Sequence, residues 1–223
     1  GGGPLLVAEP TANRLATGHK GVFWLRVSAT GRSAHGSRPD LGVSAITPLA
    51  RLATTLADSG LPGTHPVMGP VTVNVGTFAG GTKINLVPDA ATMTLDIRMV
   101  PGVTSAEILA HLRKIGGAEL HIEVIDDLAP VYSEPDGPFV RLVADALGAP
   151  GEQAEMREPL TYFTDAAILA GALRCSEVVL LGPGDPGAAH TTDERCEVSQ
   201  ILTAAAVYEQ VFAGWEQGAA LAG

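Results

Sequence analysis

The chain has 223 residues, of which 46% are hydrophobic, so it is long and apolar enough for one sizeable domain or two small ones with a core of their own. Fourteen basic and 24 acidic side chains give a net charge of −10, and the absence of a basic run or basic helix face argues against nucleic acid and anionic membranes as partners. No apolar stretch reaches the length of a bilayer span, and with only 4% aromatic residues the core is expected to be small and aliphatic.

The first ten residues, GGGPLLVAEP, carry no basic leader and no initiator Met, and read as the middle of a protein. Within them, 5–8 (LLVA) predicts a short apolar strand ending at Glu9. Residues 21–30 (GVFWLRVSAT) alternate and predict a strand. Helical spacing of Val43, Ile46, Leu49, Leu52 and Leu56 predicts a helix over 42–57, with Pro48 in its early part. Residues 71–79 (VTVNVGTFA) and 92–99 (TMTLDIRM) predict strands either side of the Gly80-Gly81 turn. Thr104 or Ser105 caps a helix running to about Ile115, Gly116-Gly117 stops it, and 120–125 (LHIEVI) is a last strand.

The order over 21–127 is β-α-β-β-α-β, the ferredoxin-like arrangement of a four-stranded antiparallel sheet with two helices on one face. Its edge needs a cover, for which a partner subunit is the usual solution. Beyond Pro130 the pattern changes. Helices are predicted over 138–147, 164–173 and 199–215, with an all-apolar strand at 178–181 (VVLL) of the kind buried on both faces. The two ends of the chain thus read as pieces of one α/β domain, 1–18 and 130–223, interrupted by a unit at 19–129.

Five positions stand out chemically. Glu9 follows a buried-type strand, where open α/β sheets gather ligands, and a carboxylate there can bind a metal. His190 lies in a Gly/Pro-rich loop after VVLL, and His35 lies in the small-residue loop GRSAHGSRP. Asn85 follows the Gly80-Gly81 turn. Arg98 stands in an otherwise apolar strand and needs a partner, either Asp96 two residues away or a substrate carboxylate. His19, His65, His111 and His121 read as structural or exposed. Cys175 and Cys196 form no Cys-x-x-Cys pair and read as two buried free thiols in a reducing cytoplasm.

Taken together, Glu9-Pro10-Thr11, His19-Lys20-Gly21, Gly31-Arg32-Ser33-Ala34-His35-Gly36-Ser37-Arg38-Pro39, Asn85-Leu86-Val87-Pro88, Asp96-Ile97-Arg98, Phe163-Thr164-Asp165-Ala166 and Ala189-His190-Thr191-Thr192-Asp193-Glu194 are similar to the zinc-dependent aminoacylase/carboxypeptidase family of acetylornithine deacetylase and succinyl-diaminopimelate desuccinylase type. The resemblance covers essentially the whole chain, in the family's order and spacing. It implies an α/β fold: an incomplete zinc-hydrolase α/β/α domain with an inserted ferredoxin-like α+β lid and dimerisation domain.

The resemblance also implies residue roles. Glu9 would be a terminal ligand of one zinc and His190 a ligand of the other, with Co2+ as a possible substitute for Zn2+. His35 would reach into the partner subunit's active site and stabilise the oxyanion. Asn85 and Arg98 would bind the substrate's carboxylate or acyl end, and Thr164 would add a polar contact at the rim. The family's His-x-Asp motif, its bridging Asp and its Glu-Glu pair would lie upstream of Gly1, and no Glu-Glu dipeptide occurs in the chain. The function implied is hydrolysis of the amide bond of N-acylated amino acids by a cytoplasmic homodimer, with these 223 residues inactive alone. The alternatives are a metallocarboxypeptidase or dipeptidase of the same family, acting on short peptides, or a non-catalytic dimerisation or binding fragment.

Overall fold

The computed structural model describes residues 2–148 and 159–221. In chain order the elements are β1 (Leu5–Val7), β2 (Gly18–His19), β3 (Gly21–Thr30), α1 (Ile46–Ser59), β4 (Thr64–His65), β5 (Gly69–Pro70), β6 (Thr72–Gly80), β7 (Ala90–Met99), α2 (Ser105–Gly116), β8 (Leu120–Leu128), β9 (Val131–Tyr132), α3 (Pro138–Ala146), α4 (Ala166–Leu173), β10 (Val178–Leu180) and α5 (Val198–Leu221). They divide into two compact units, residues 21–129 and the two flanking segments 1–20 and 130–223. Among the described residues no helix is long and apolar enough to cross a membrane.

The 21–129 unit is an antiparallel sheet of order β6-β7-β3-β8. The alternation in β3 sends Phe23, Leu25 and Val27 to one face, where they pair across the ladder with Ile97, Leu95 and Met93 of β7. That face is closed by Leu49, Leu52 and Leu56 of α1 and by Ile108 and Leu112 of α2, all buried. The opposite face carries Trp24, Arg26, Thr94, Asp96 and Arg98, polar or half-buried throughout. α2 starts on a full capping box: Thr104 Oγ1 accepts the Glu107 N–H and the Glu107 carboxylate accepts the Thr104 N–H. α1 begins at Ile46, later than its apolar periodicity predicts, because Val43 is held in a bridge with Arg32 and the Ala45 N–H donates to the Pro88 carbonyl. Pro48 is tolerated because it falls in the first turn, where its missing N–H has no intrahelical partner to lose.

The flanking segments meet in a parallel pair, β1 with β10, in the register Leu5–Val178 to Val7–Leu180. β10 is buried on both faces. Val179 and Leu181 pack with Phe139, Val140, Val143, Val207 and Val211 of α3 and α5. Val178 and Leu180 pack with Ala166 of α4 and with Val131. Two-sided burial is why VVLL carries no polar residue. α3 is capped from a distance: Glu177 Oε2 accepts the Phe139 N–H at 2.6 Å, and Gly137 leaves room for that carboxylate. Removing a side-chain cap costs about 1–2 kcal/mol. Glu177→Ala is therefore expected to lower the urea midpoint by that amount with an unchanged slope, and an unaltered midpoint would show the cap to be idle.

Candidate active site

In the 21–129 unit, the loop after β3 runs against the loop before β7. His35 bridges Leu86, the Gly36 N–H donates to the Asn85 carbonyl at 2.7 Å, and the Val87 N–H donates to the Ala34 carbonyl at 2.8 Å. His35 and Asn85 are thereby brought onto facing segments. Gly36 makes the approach possible, since a Cβ there would lie 3.1 Å from the Asn85 carbonyl group.

The His35 ring is exposed and its tautomer is fixed by Ser37. The Ser37 backbone N–H, which can only donate, lies 3.2 Å from His35 Nδ1, and Ser37 Oγ lies 2.8 Å from the same atom. Nδ1 is thus an acceptor, and the neutral ring carries its proton on Nε2. In that tautomer Nε2–H is an N–H donor on an exposed loop, the type of group that stabilises a developing oxyanion. Ser37 was not singled out in the sequence, where the His-x-Ser spacing was the available signal.

Arg98 stands elsewhere on the same sheet. Its Nη2 is 2.9 Å from Asp96 Oδ2, while Asp96 Oδ1 accepts the Trp24 indole N–H at 3.0 Å. Of the two partners the sequence left open, Asp96 is in place, and Trp24 holds it. Asn85 lies before the start of β7 and Arg98 next to its end. Ala90 and Arg98 are eight residues apart in that strand, which is about 26 Å at its usual rise.

In the flanking unit, Glu9 and His190 follow the C-terminal ends of the adjacent parallel strands β1 and β10. The two exits are stitched together around Gly182, whose carbonyl accepts the Thr11 and Asn13 N–H groups at 3.2 and 2.8 Å. Glu9 is half-buried, and its carboxyl is raised above the ordinary range by burial and then by the negative charge of Asp165. Tyr162 completes that corner: its hydroxyl donates to the Pro10 carbonyl at 3.4 Å and is itself pushed up by burial and by Glu9. Tyr162 does not stand out in the sequence and Asp165 does so only as part of the Phe163–Ala166 motif, because only the fold sets them beside Glu9.

His190 is exposed, has a left-handed backbone at φ 62°, and its N–H donates to Glu194 Oε2 at 3.2 Å. Thr164 is buried, and its Oγ1 accepts the Ala166 N–H at 3.1 Å at the start of α4. Both cysteines are free as expected, but the expected burial is corrected: Cys175 is only half-buried and Cys196 is exposed, in the stretch leading into α5.

No group of three or more His, Cys, Asp or Glu side chains converges among the described residues. A tetrahedral or larger shell needs at least three protein donors to hold its ion firmly. The described residues therefore do not by themselves enclose a metal; they present single donors at one edge of a parallel sheet.

The architecture defines the class: a parallel α/β unit interrupted by a ferredoxin-like insertion. Residues 17–122 match the M20 peptidase dimerisation domain family. The chain is 32% identical over 198 residues to a peptidase M20 domain-containing protein of Schizosaccharomyces pombe, covering 88% of this chain and 44% of that protein. It is 31% identical over 215 residues to a putative succinyl-diaminopimelate desuccinylase of Mycobacterium tuberculosis, covering 94% and 58%. In fold it is similar to the YXEP protein of Bacillus subtilis, a dinuclear metal-binding peptidase of the M20 family, with a TM-score of 0.69 at 14% identity over 94% of this chain and 56% of that one. The chain is thus similar over most of its length to proteins of the M20 peptidase family, and it spans about half the length of the curated relatives it matches.

Proposed function

We propose that these residues form the dimerising lid and the C-terminal part of the catalytic domain of a cytoplasmic amidohydrolase that cleaves the amide bond of N-acylated amino acids. The observation that carries the reading is His35, an exposed ring whose Nδ1 accepts from Ser37 and so leaves Nε2–H as donor, on a loop that is hydrogen-bonded through Gly36 to the backbone carbonyl of Asn85. Such a donor suits the oxygen of a scissile carbonyl. Arg98, held by Asp96, suits the carboxylate of an amino-acid substrate. Because Asn85 and Arg98 belong to opposite ends of β7, we assign them to different copies of the chain: His35 and Asn85 of one act with Arg98 of the other.

Glu9 and His190 are each offered as one donor to a pair of zinc ions whose remaining donors lie outside the described residues. Bound zinc would supply an activated water and polarise the carbonyl. The buried Thr164 hydroxyl serves the start of α4 and comes to the rim only if that turn opens. Cleavage of short peptides is the second reading, favoured by the peptidase relatives, and both readings use the same carboxylate-binding arginine.

The test joins residues 1–223 to the upstream half of the desuccinylase relative, adds zinc, and assays N-acetylornithine, N-succinyl-diaminopimelate and dipeptides. His35→Ala is expected to reduce kcat by about 10²–10³. Cleavage of dipeptides alone would shift the reading to peptidase, and no cleavage of any substrate by an assembled, zinc-loaded protein would end it.

The dimer is assigned to the β6 edge. β6 (TVNVGTFAG) carries no charge and no proline, whereas β8 (LHIEVIDDL) carries Glu123, Asp126 and Asp127. Both edges have one register irregularity, β8 opposite Trp24 and Leu25 and β6 between Val75 and Thr77, so the charges, which keep edges from pairing, decide. Lysines at Thr72 and Asn74 are expected to weaken self-association at least about tenfold, with Val124→Lys on β8 as the silent control in sedimentation. The reverse ranking would move the interface to the other edge.

A further inference from the structure

His19 is fully buried. Its Nδ1 lies 2.8 Å from the Lys20 carbonyl oxygen, which can only accept, so the neutral ring carries its proton on Nδ1 and leaves a bare lone pair on Nε2. Nε2 is enclosed and has no hydrogen-bond partner. The residue sits on β2, which pairs with β9 as Gly18–Tyr132 and His19–Val131. The chain leaves the flanking unit immediately after β2 and returns to it immediately before β9. This short ladder therefore binds together the outgoing and returning strands.

We propose that His19 is an acid-sensitive clasp on the β2–β9 ladder, closed when the imidazole is neutral and opened when a proton must be placed on Nε2. A proton on Nε2 would put a charged N–H donor where the described residues offer it no acceptor, whereas an opened ladder hydrates it. The groups around β2 do not compensate. β10 and the 159–160 segment bring only Val178, Val179, Leu180, Pro159 and Leu160. β9 brings Tyr132, whose hydroxyl is pushed up by burial and by Glu134 and Asp136. The neighbouring Lys20 ammonium is itself disfavoured by burial.

Burial pulls the His19 imidazole below its ordinary value of 6.5, opposed only by the Lys20 carbonyl. A folded value below the open-state value means that the closed ladder has its full stability above 6.5 and loses it as pH falls below that point. For a group that titrates normally only when open, the opening equilibrium rises by up to about tenfold between roughly pH 7.5 and 5.5.

The experiment is amide hydrogen exchange on the full 223-residue chain by NMR. The probes are the N–H groups of Lys20, Leu160 and Ser133, bonded to the carbonyls of Leu160, Gly18 and Thr17; the references are Ala16 and Leu180, bonded to each other in the same unit. After correction for intrinsic rates, the probes are expected to lose up to about tenfold in protection on acidification while the references do not, and His19→Leu is expected to remove the difference. Equal losses at probes and references, or an imidazole that titrates at or above the ordinary 6.5 in a 15N spectrum, would overturn the proposal. If His19→Leu does not fold, the wild-type comparison and the imidazole titration decide alone.

Discussion

A polypeptide of residues 1–223 alone, given excess zinc, is expected to hydrolyse N-acetylornithine and N-succinyl-diaminopimelate at least about 10⁴-fold more slowly than the same residues joined to a metal-binding upstream half. The loss of a general base by itself costs about 10²–10⁴ in rate. Beyond that, Glu9 and His190, as the proposed ligands, would each be a single donor, and no group of three His, Cys, Asp or Glu forms among the described residues. Zinc at such positions would keep most of its water and exchange freely. Equilibrium dialysis should therefore find weak, non-stoichiometric zinc, and a kinetic assay should find no turnover above background. A kcat of about 10 s⁻¹, ordinary for an enzyme, would mean that a base and further ligands are present in these residues and have been overlooked.

Gly182→Ala is expected to destabilise the flanking unit by about 3 kcal/mol, in the range of overpacking a buried, rigid position. A methyl group at Gly182 would lie 2.5 Å from the Glu9 carbonyl oxygen and 3.0 Å from the Ala8 carbonyl carbon. Both are backbone atoms, so no side chain can swing aside to relieve the contact. The same residue donates its N–H to Thr11 Oγ1 at 3.2 Å and accepts from Thr11 and Asn13, so any retreat breaks the stitching of the two strand exits. A urea titration reads the stability loss. In the joined enzyme the substitution should also raise the zinc concentration needed for activity, because Glu9 moves with its backbone. A variant as stable as the parent would show that the strand exits yield more easily than these contacts suggest.

Much of this fold is written in short-range pattern. The alternation in GVFWLRVSAT and TMTLDIRM declares β3 and β7, and the ladder between Phe23 and Ile97 follows from burying matched faces. Thr104 and Glu107 announce the start of α2, because a capping box is local chemistry. What the sequence conceals is set by partners far along the chain. The apolar spacing of Val43 extends a helix that the Arg32–Val43 bridge stops short. The exposure of Cys196 and the burial of His19 depend on which strands and loops arrive beside them, and β9 reaches His19 only after the whole inserted unit has been crossed. The site divides in the same way. His35, Ser37 and Asn85 stand in recognisable motifs, whereas Trp24 and Tyr162 acquire their neighbours only through folding.

The pairing of β1 with β10 also sets a timetable for synthesis. The 21–129 unit is continuous in sequence and can fold once its own residues have left the ribosome. β1 is made before the inserted unit, yet its partner Val178–Leu180 and the covering helix α5 are made after it. At translation speeds of about 5–20 residues per second, the interval from the end of the inserted unit to the end of α5 is roughly 5–20 s. Throughout that interval Leu5–Val7 lacks its β10 neighbour while the inserted unit is already complete. That window is when the nascent chain most needs a chaperone.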